Sequence, residues 1–122
     1  NYLLFESHNE EAYIEAVKKT IDIEFETVNS SNLYFAKKTI RKILRIANKH
    51  IKYTASKQAE ADLLIHFCLT LKQSGIQFQK STALNNLYFS QINKAEKAVA
   101  SMHEDLQYDY NRQLEKLIKT EE

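Results

Sequence analysis

The chain has 122 residues, 43% hydrophobic and 27% charged, which excludes general disorder and is typical of one folded domain over residues 1–122. The absence of Pro and the single Gly exclude a sheet-rich fold, which needs turn residues about every 8–12 positions. They also exclude the glycine-rich loops that hold nucleotides. The net charge is +1, but it is unevenly distributed.

The charges divide the chain into three parts. Residues 1–26 carry seven acids and two bases, residues 27–59 carry eight bases and no acid, and residues 60–122 carry nine acids and seven bases. A segment of +8 therefore lies between segments of −5 and −2. This asymmetry indicates either an anionic partner or an acidic neighbour within the same fold.

The first predicted helix begins after Ser7, which has capping-box spacing to Glu10, and extends to about Glu26. A polar turn over residues 27–32 follows, with candidate caps for the next helix at positions 29–31. The apolar face of the first helix consists of Ile14, Val17, Ile21 and Phe25. That spacing predicts an amphipathic helix with one face in the core.

The second predicted helix has the cleanest periodicity in the chain. Its apolar residues recur about every 3–4 positions and predict one buried face: Leu33, Ala36, Ile40, Ile43, Leu44, Ala47 and Ile51. Its cations fall on a separate arc about 100° wide. This set, here named the basic stripe, consists of Lys38, Arg41, Lys42, Arg45, Lys49 and Lys52.

Three further helices are predicted downstream. Thr54 or Ser56 caps the third, which is apolar around much of its girth and is expected to be central; Gly75 ends it in the left-handed conformation. Ser81 or Thr82 caps a fourth helix. Asp105 caps a fifth, unless the fourth and fifth form one rod, because no Gly or Pro marks a break. The predicted fold is an all-α, compact, mainly antiparallel bundle of four to five helices.

Four stretches share their spacing and hydrophobic type with a known family. They are Tyr2-Leu3-Leu4-Phe5 with Asn9-Glu10-Glu11, Ala36-Lys37-Lys38 with Ile40, Asp62-Leu63-Leu64, and Tyr110-Asn111-Arg112 with Ile118. In these the chain resembles an uncharacterised family of small all-helical bacterial proteins. The resemblance implies a bacterial helical protein and no known activity. Family members generally carry a further helical segment upstream, so the chain, which begins at Asn1 and not at Met, resembles their C-terminal portion.

The basic stripe has two interpretations. A row of cations on one helix can neutralise phosphates and bind nucleic acid or another polyanion, and nearby aromatic residues can stack on exposed bases. These neighbours are Tyr34, Phe35, His50 and Tyr53. Alternatively, the acidic first helix packs antiparallel beside the second and complements the stripe. An open stripe favours the first interpretation, and a matched stripe favours the second.

Other residue patterns predict catalytic or metal chemistry less specifically. Arg45 and His50 have the Arg-x4-His spacing that resembles helical ribonucleases, although Ile46 replaces the usual polar residue. Asp62 and His66 are one turn apart and are expected to hydrogen-bond, with Cys68 packed in the core. The adjacent residues at 103–105 diverge on a helix, so no metal site is predicted.

The sequence as a whole favours a non-enzymatic interaction or scaffold protein that binds another protein or itself. Nucleic-acid or polyanion binding through the basic stripe is the alternative, and a ribonuclease using Arg45 and His50 is the remote one. We expect no cofactor. The lone Cys68 favours the cytoplasm, and no apolar run has the length of a membrane span.

Overall fold

The computed structural model describes residues 9–28, 32–54 and 56–118, with side chains from Glu11 onward. Those ranges contain five α-helices, one short 3-10 turn at Phe78–Lys80 and no strand. The helices are α1 (Asn9–Glu26), α2 (Leu33–Thr54), α3 (Lys57–Gln73), α4 (Thr82–Ala100) and α5 (Glu104–Ile118). The prediction of an all-α bundle is confirmed.

Helix α3 lies at the centre of the bundle, as its apolar girth predicts, because it packs against each of the other four helices. Its contact with α1 includes Phe67 and Phe25, whose ring centroids are 5.7 Å apart. Its buried side chains are Ala59, Ala61, Leu63, Leu64, Ile65, Phe67, Cys68 and Leu71. Burial of this many apolar groups provides most of the driving force for the fold.

Helices α1 and α2 run antiparallel. Tyr13, near the start of α1, contacts His50, near the end of α2. Glu24, near the end of α1, contacts Lys42, in the middle of α2. The short connection between the two helices favours this arrangement, and it sets the acidic helix beside the basic one.

Helices α4 and α5 are also antiparallel and are separate elements. The Tyr88 hydroxyl on α4 donates a 2.8 Å hydrogen bond to the carbonyl of Leu117, near the end of α5. At the other end, the Gln107 amide on α5 donates to the carbonyls of Ala100 (3.4 Å) and Met102 (2.9 Å). Residues 101–103 lie between the helices, so the single-rod alternative is wrong.

Side chains at four helix starts satisfy backbone amides that have no partner within the helix. Asn32 accepts from the amides of residues 34 and 35, Ser56 from residue 59, Ser81 from residue 84, and the His103 ring from residue 105. Of the predicted alternatives, Ser56 and not Thr54 caps α3, and Ser81 and not Thr82 caps α4. His103, not Asp105, caps α5. The predicted caps at Ser7 and at positions 29–31 lie outside the described residues.

Gly75 follows α3 with a φ of +87°, as predicted. This left-handed conformation is one that residues with a Cβ adopt only at a cost, so glycine suits the position. The chain then turns toward the buried Ile76 and Phe78, and the Phe78 ring packs 4.6 Å from that of Tyr88 between centroids.

Candidate functional site

The basic stripe lies on the outer face of α2. All six of its side chains are exposed, while the opposite face of the helix is buried in the core. The buried members are Ala36, Ile40, Ile43 and Ala47. The amphipathic pattern thus fixes the orientation of the cations, because burying the apolar face turns the basic arc toward solvent.

Helix α1 complements the stripe at one position. Lys42 lies 3.9 Å from Glu24, and within the described ranges it is the stripe member that pairs with a carboxylate. Such an exposed pair contributes about 0–1 kcal/mol. Among the described side chains of α1, the other acids bond elsewhere or face solvent: Glu15 lies 3.5 Å from Lys18 on its own helix, and Asp22 bonds α3. The stripe is therefore mostly open.

Near the end of the stripe, α1 and α2 form an open groove of about 450 Å³. Its described lining consists of Tyr13, Lys49, His50, Lys52 and Tyr53. The ring centroid of Tyr13 is 6.0 Å from that of Tyr53 and 5.4 Å from that of His50. We name this feature the tyrosine groove. Two of its residues, Lys49 and Lys52, belong to the basic stripe, so the two features are continuous.

A hydrogen bond between the Tyr13 hydroxyl and His50 Nδ1 joins α1 to α2 in the groove. Burial lowers the pKa of His50 below its ordinary value of 6.5, and the charge of Lys49 adds to the effect. Burial also raises the pKa of Tyr13, with a further contribution from Tyr53. At neutral pH the imidazole is therefore uncharged, and it shares one hydrogen bond with the phenol through Nδ1.

The Arg45 and His50 pair is not brought together in this groove. His50 lines the groove and bonds Tyr13, whereas Arg45 is exposed and does not line it. Five helical positions correspond to a rotation of about 140°, which separates the two side chains around α2. The two side chains thus lie on different sides of α2, and the use of this pair by a ribonuclease stays a prediction.

The predicted hydrogen bond between Asp62 and His66 is wrong. His66 Nε2 lies 2.7 Å from Asp22 on α1, and Thr70 donates to the same carboxylate oxygen at 3.4 Å. Asp62 instead accepts a 2.7 Å hydrogen bond from the Tyr110 hydroxyl on α5. His66 and Asp62 therefore bond to other helices and not to each other. These two contacts join α3 to α1 and to α5.

Cys68 is fully buried, as predicted, and its thiol contacts the Tyr88 carbonyl at 3.8 Å. Burial raises its pKa to about 12, so the thiol stays protonated and unreactive at neutral pH. The described ranges contain no group of three His, Cys, Asp or Glu side chains placed to hold a metal ion. His103 lies 3.5 Å from Asp105 on the exposed start of α5.

Tyr13 is the groove residue that the sequence did not single out. Its position directly before the buried Ile14 is typical of a residue that only packs at the edge of the core. The antiparallel pairing of α1 and α2 is the signal that could have found it, because that pairing brings the start of one helix to the end of the other. Tyr53 and His50 were predicted as neighbours of the stripe, and they do lie beside it.

Comparison of the chain with models of protein families, with curated proteins and with solved structures finds no match. The resemblance to a bacterial helical family therefore stays a prediction. Among the described helices, none is both long enough and apolar enough to cross a bilayer. The site itself, with its charges and rings, is the basis for a functional proposal.

Proposed function

We propose that this protein binds nucleic acid, without catalysing a reaction, through the basic stripe on α2. The observation that carries the proposal is that all six cations are exposed and that only Lys42 pairs with a carboxylate within the described ranges. From Lys38 to Lys52 the stripe extends about 21 Å along the helix, enough to follow several successive phosphates. The cytoplasmic location expected from the lone cysteine stays a prediction.

The positions of two acids on α1 favour a polyanion, and not α1 itself, as the partner of the basic stripe. Asp22 is bonded to His66, and Glu15 lies beside Lys18. Neither carboxylate is engaged with the stripe. A ligand with closely spaced phosphates would neutralise the uncompensated cations and release condensed counterions, which makes such binding strongly dependent on salt.

Fluorescence anisotropy of labelled RNA and DNA, titrated with protein from 50 to 200 mM salt, tests the proposal. Arg41→Glu with Arg45→Glu should weaken binding and flatten the salt dependence, since each lost phosphate contact lowers the slope by about 0.7–0.9. Lys94→Glu with Lys97→Glu is the matched control, because it makes the same change in charge on the exposed face of α4.

The outcomes separate clearly. Binding that the α2 pair weakens and the α4 pair leaves intact supports the stripe as the binding surface. Equal losses in both variants would assign binding to net charge, and no binding at 50 mM salt would overturn the proposal. Electrophoresis of the RNA after the titration tests the ribonuclease alternative, which requires cleavage that His50→Ala abolishes.

Self-association is a second candidate, and exposed aromatic residues at the start of α2 favour it. Tyr34 and Phe35 are 61% and 54% exposed, and their rings meet edge to face at 5.4 Å between centroids. Aromatic side chains of this kind are enriched at protein interfaces. Sedimentation of the wild-type protein and of Phe35→Ala tests it: a dimer that the substitution dissociates supports this candidate, and a monomer at all concentrations excludes it.

A further inference from the structure

We infer that the nucleic acid bound by the stripe is single-stranded and that the tyrosine groove between α1 and α2 receives one of its unstacked bases. This inference rests on the proposed function and specifies its ligand. The groove has a volume of about 450 Å³, within the range of about 300–1,000 Å³ that small organic groups occupy. Its described lining combines aromatic rings with two lysines, which can hold the base and the phosphate of a nucleotide.

The rings provide a surface for a base. Tyr53 is 61% exposed, and its ring is tilted by 49° from the neighbouring ring of Tyr13, 6.0 Å away between centroids. Every base has a π-face, so stacking on a tyrosine ring binds bases with little sequence preference. The neutral His50 ring belongs to the same lining, and its hydrogen bond to the Tyr13 hydroxyl holds it beside that ring.

The charges provide the matching contact for the phosphates. Lys49 and Lys52 line the groove and are also the last two members of the basic stripe. A strand whose phosphates follow the stripe therefore arrives at the groove with its backbone on these lysines. One nucleotide can then place its phosphate on a lysine and its base on the exposed Tyr53 ring, without leaving the cationic surface.

A duplex fits this arrangement less well than a single strand. In a duplex the bases are stacked and paired, so a base reaches a side groove only by flipping out, at a cost of a few kcal/mol. A single strand already presents its bases. Phosphate contacts alone would bind both forms, so the tyrosine groove makes the difference between them.

The test compares three labelled probes at equal salt: a 12-nucleotide oligo-dT, an abasic strand of the same length and a 12-base-pair duplex. Wild-type protein should bind oligo-dT most tightly. Tyr53→Ala should weaken oligo-dT binding by about 5- to 100-fold, the loss of one stacked base. The same variant should leave the abasic strand and the duplex unchanged, along with the salt slope.

Two controls keep the result specific. Tyr53→Phe should retain tight binding, because it keeps the ring and loses only the hydroxyl. Tyr108→Ala removes an equally exposed ring from α5 and should change nothing. Circular dichroism of each variant checks that the fold is intact, so that a loss of binding is not a loss of structure.

The results for the inference and for the proposed function can be told apart. If wild-type protein binds duplex and oligo-dT equally, and Tyr53→Ala weakens neither, the stripe still binds nucleic acid and the inference about the groove is overturned. If wild-type protein binds none of the three probes at 50 mM salt, the proposed function fails and the inference fails with it.

Discussion

Two tyrosines in the interior of the bundle, one on α4 and one on α5, differ in setting from the two along α2. Tyr88 and Tyr110 are 2% and 8% exposed, and their hydroxyls donate to the Leu117 carbonyl at 2.8 Å and to Asp62 at 2.7 Å. Tyr34 and Tyr53 are each 61% exposed. In the first region the ring packs in the core and the hydroxyl donates to an acceptor on another helix. In the second, the ring faces solvent beside cations.

The difference teaches how to separate a structural tyrosine from a candidate functional one. Burial raises the pKa of Tyr110 to about 12, with Asp62 adding to the effect, so its phenol stays protonated and serves as a fixed donor. A ring exposed beside Lys49 and Lys52, as Tyr53 is, adds little to the core, and its exposed surface can contact a ligand. We call the buried surroundings of Tyr88 and Tyr110 the inner region and the exposed surface along α2 the outer region. Stability should therefore depend on the inner region, and binding on the outer region.

The largest expected effect is on the inner region. Phe67→Ala should reduce the free energy of unfolding by about 3–5 kcal/mol, because it leaves a cavity at a fully buried site against Phe25. Urea denaturation measures it. Phe35→Ala is the matched control: the same change at an exposed site should stay within about 0.5 kcal/mol. Equal losses would break the comparison, since exposure would then not decide stability.

The hydroxyl of Tyr110 gives the next effect. Tyr110→Phe removes the donor to the half-buried Asp62 and the acceptor for the Gln58 amide, which lies 3.3 Å away. The expected loss is about 1–3 kcal/mol by thermal or urea unfolding, as for other hydrogen bonds to charged groups. Tyr108→Phe on the same helix, at a side chain 67% exposed, should change stability by no more than about 0.5 kcal/mol. A silent Tyr110→Phe would mean that this hydroxyl does not stabilise the core.

The junction between the two regions gives a smaller effect. Ser56 lies between α2 and α3 and accepts the Ala59 amide at 3.2 Å, so Ser56→Ala should cost about 1 kcal/mol through the lost cap. Ser90→Ala, at an exposed site within α4, is the control and should be neutral or slightly stabilising, because alanine has the higher helix propensity. If both substitutions were neutral, the cap at Ser56 would contribute nothing measurable.

The sequence predicted those features that depend on local periodicity. The apolar face of α2, with Ile40 and Ile43 in the core, follows from spacing along a single helix, and so does the exposure of the basic stripe on the other side. The central position of α3 follows from its apolar girth. Each of these needs only the 3.6-residue period and the rule that apolar faces are buried.

The sequence could not supply the contacts that join distant helices. Local spacing favoured Asp62 as the partner of His66, but the observed partner is Asp22, 44 positions earlier. Likewise, Tyr13 meets His50 across 37 positions. Such pairs depend on how helices cross and on the register of their packing, which a single sequence does not encode as a local pattern. The tyrosine groove was missed for this reason.

The smallest expected effect concerns the outer region and is a shift in the titration midpoint of His50. Followed by NMR, its imidazole should titrate below 6.5, since burial and the charge of Lys49 both lower the pKa. Lys49→Gln should raise the midpoint but leave it below 6.5, because burial is the larger cause. Lys97→Gln on α4 carries the same charge change and should leave the midpoint where it is.

The sign of the effect on stability follows from the same shift. The unfolded chain binds a proton at His50 near pH 6.5, whereas the folded chain binds it only at a lower pH. Stability from this residue is therefore complete above pH 6.5 and is lost as the pH falls toward the folded pKa. His50 lies where α1 meets α2, so acid should weaken the contact that forms the tyrosine groove. A midpoint above 6.5 would contradict the half-buried imidazole bonded to Tyr13 in the groove.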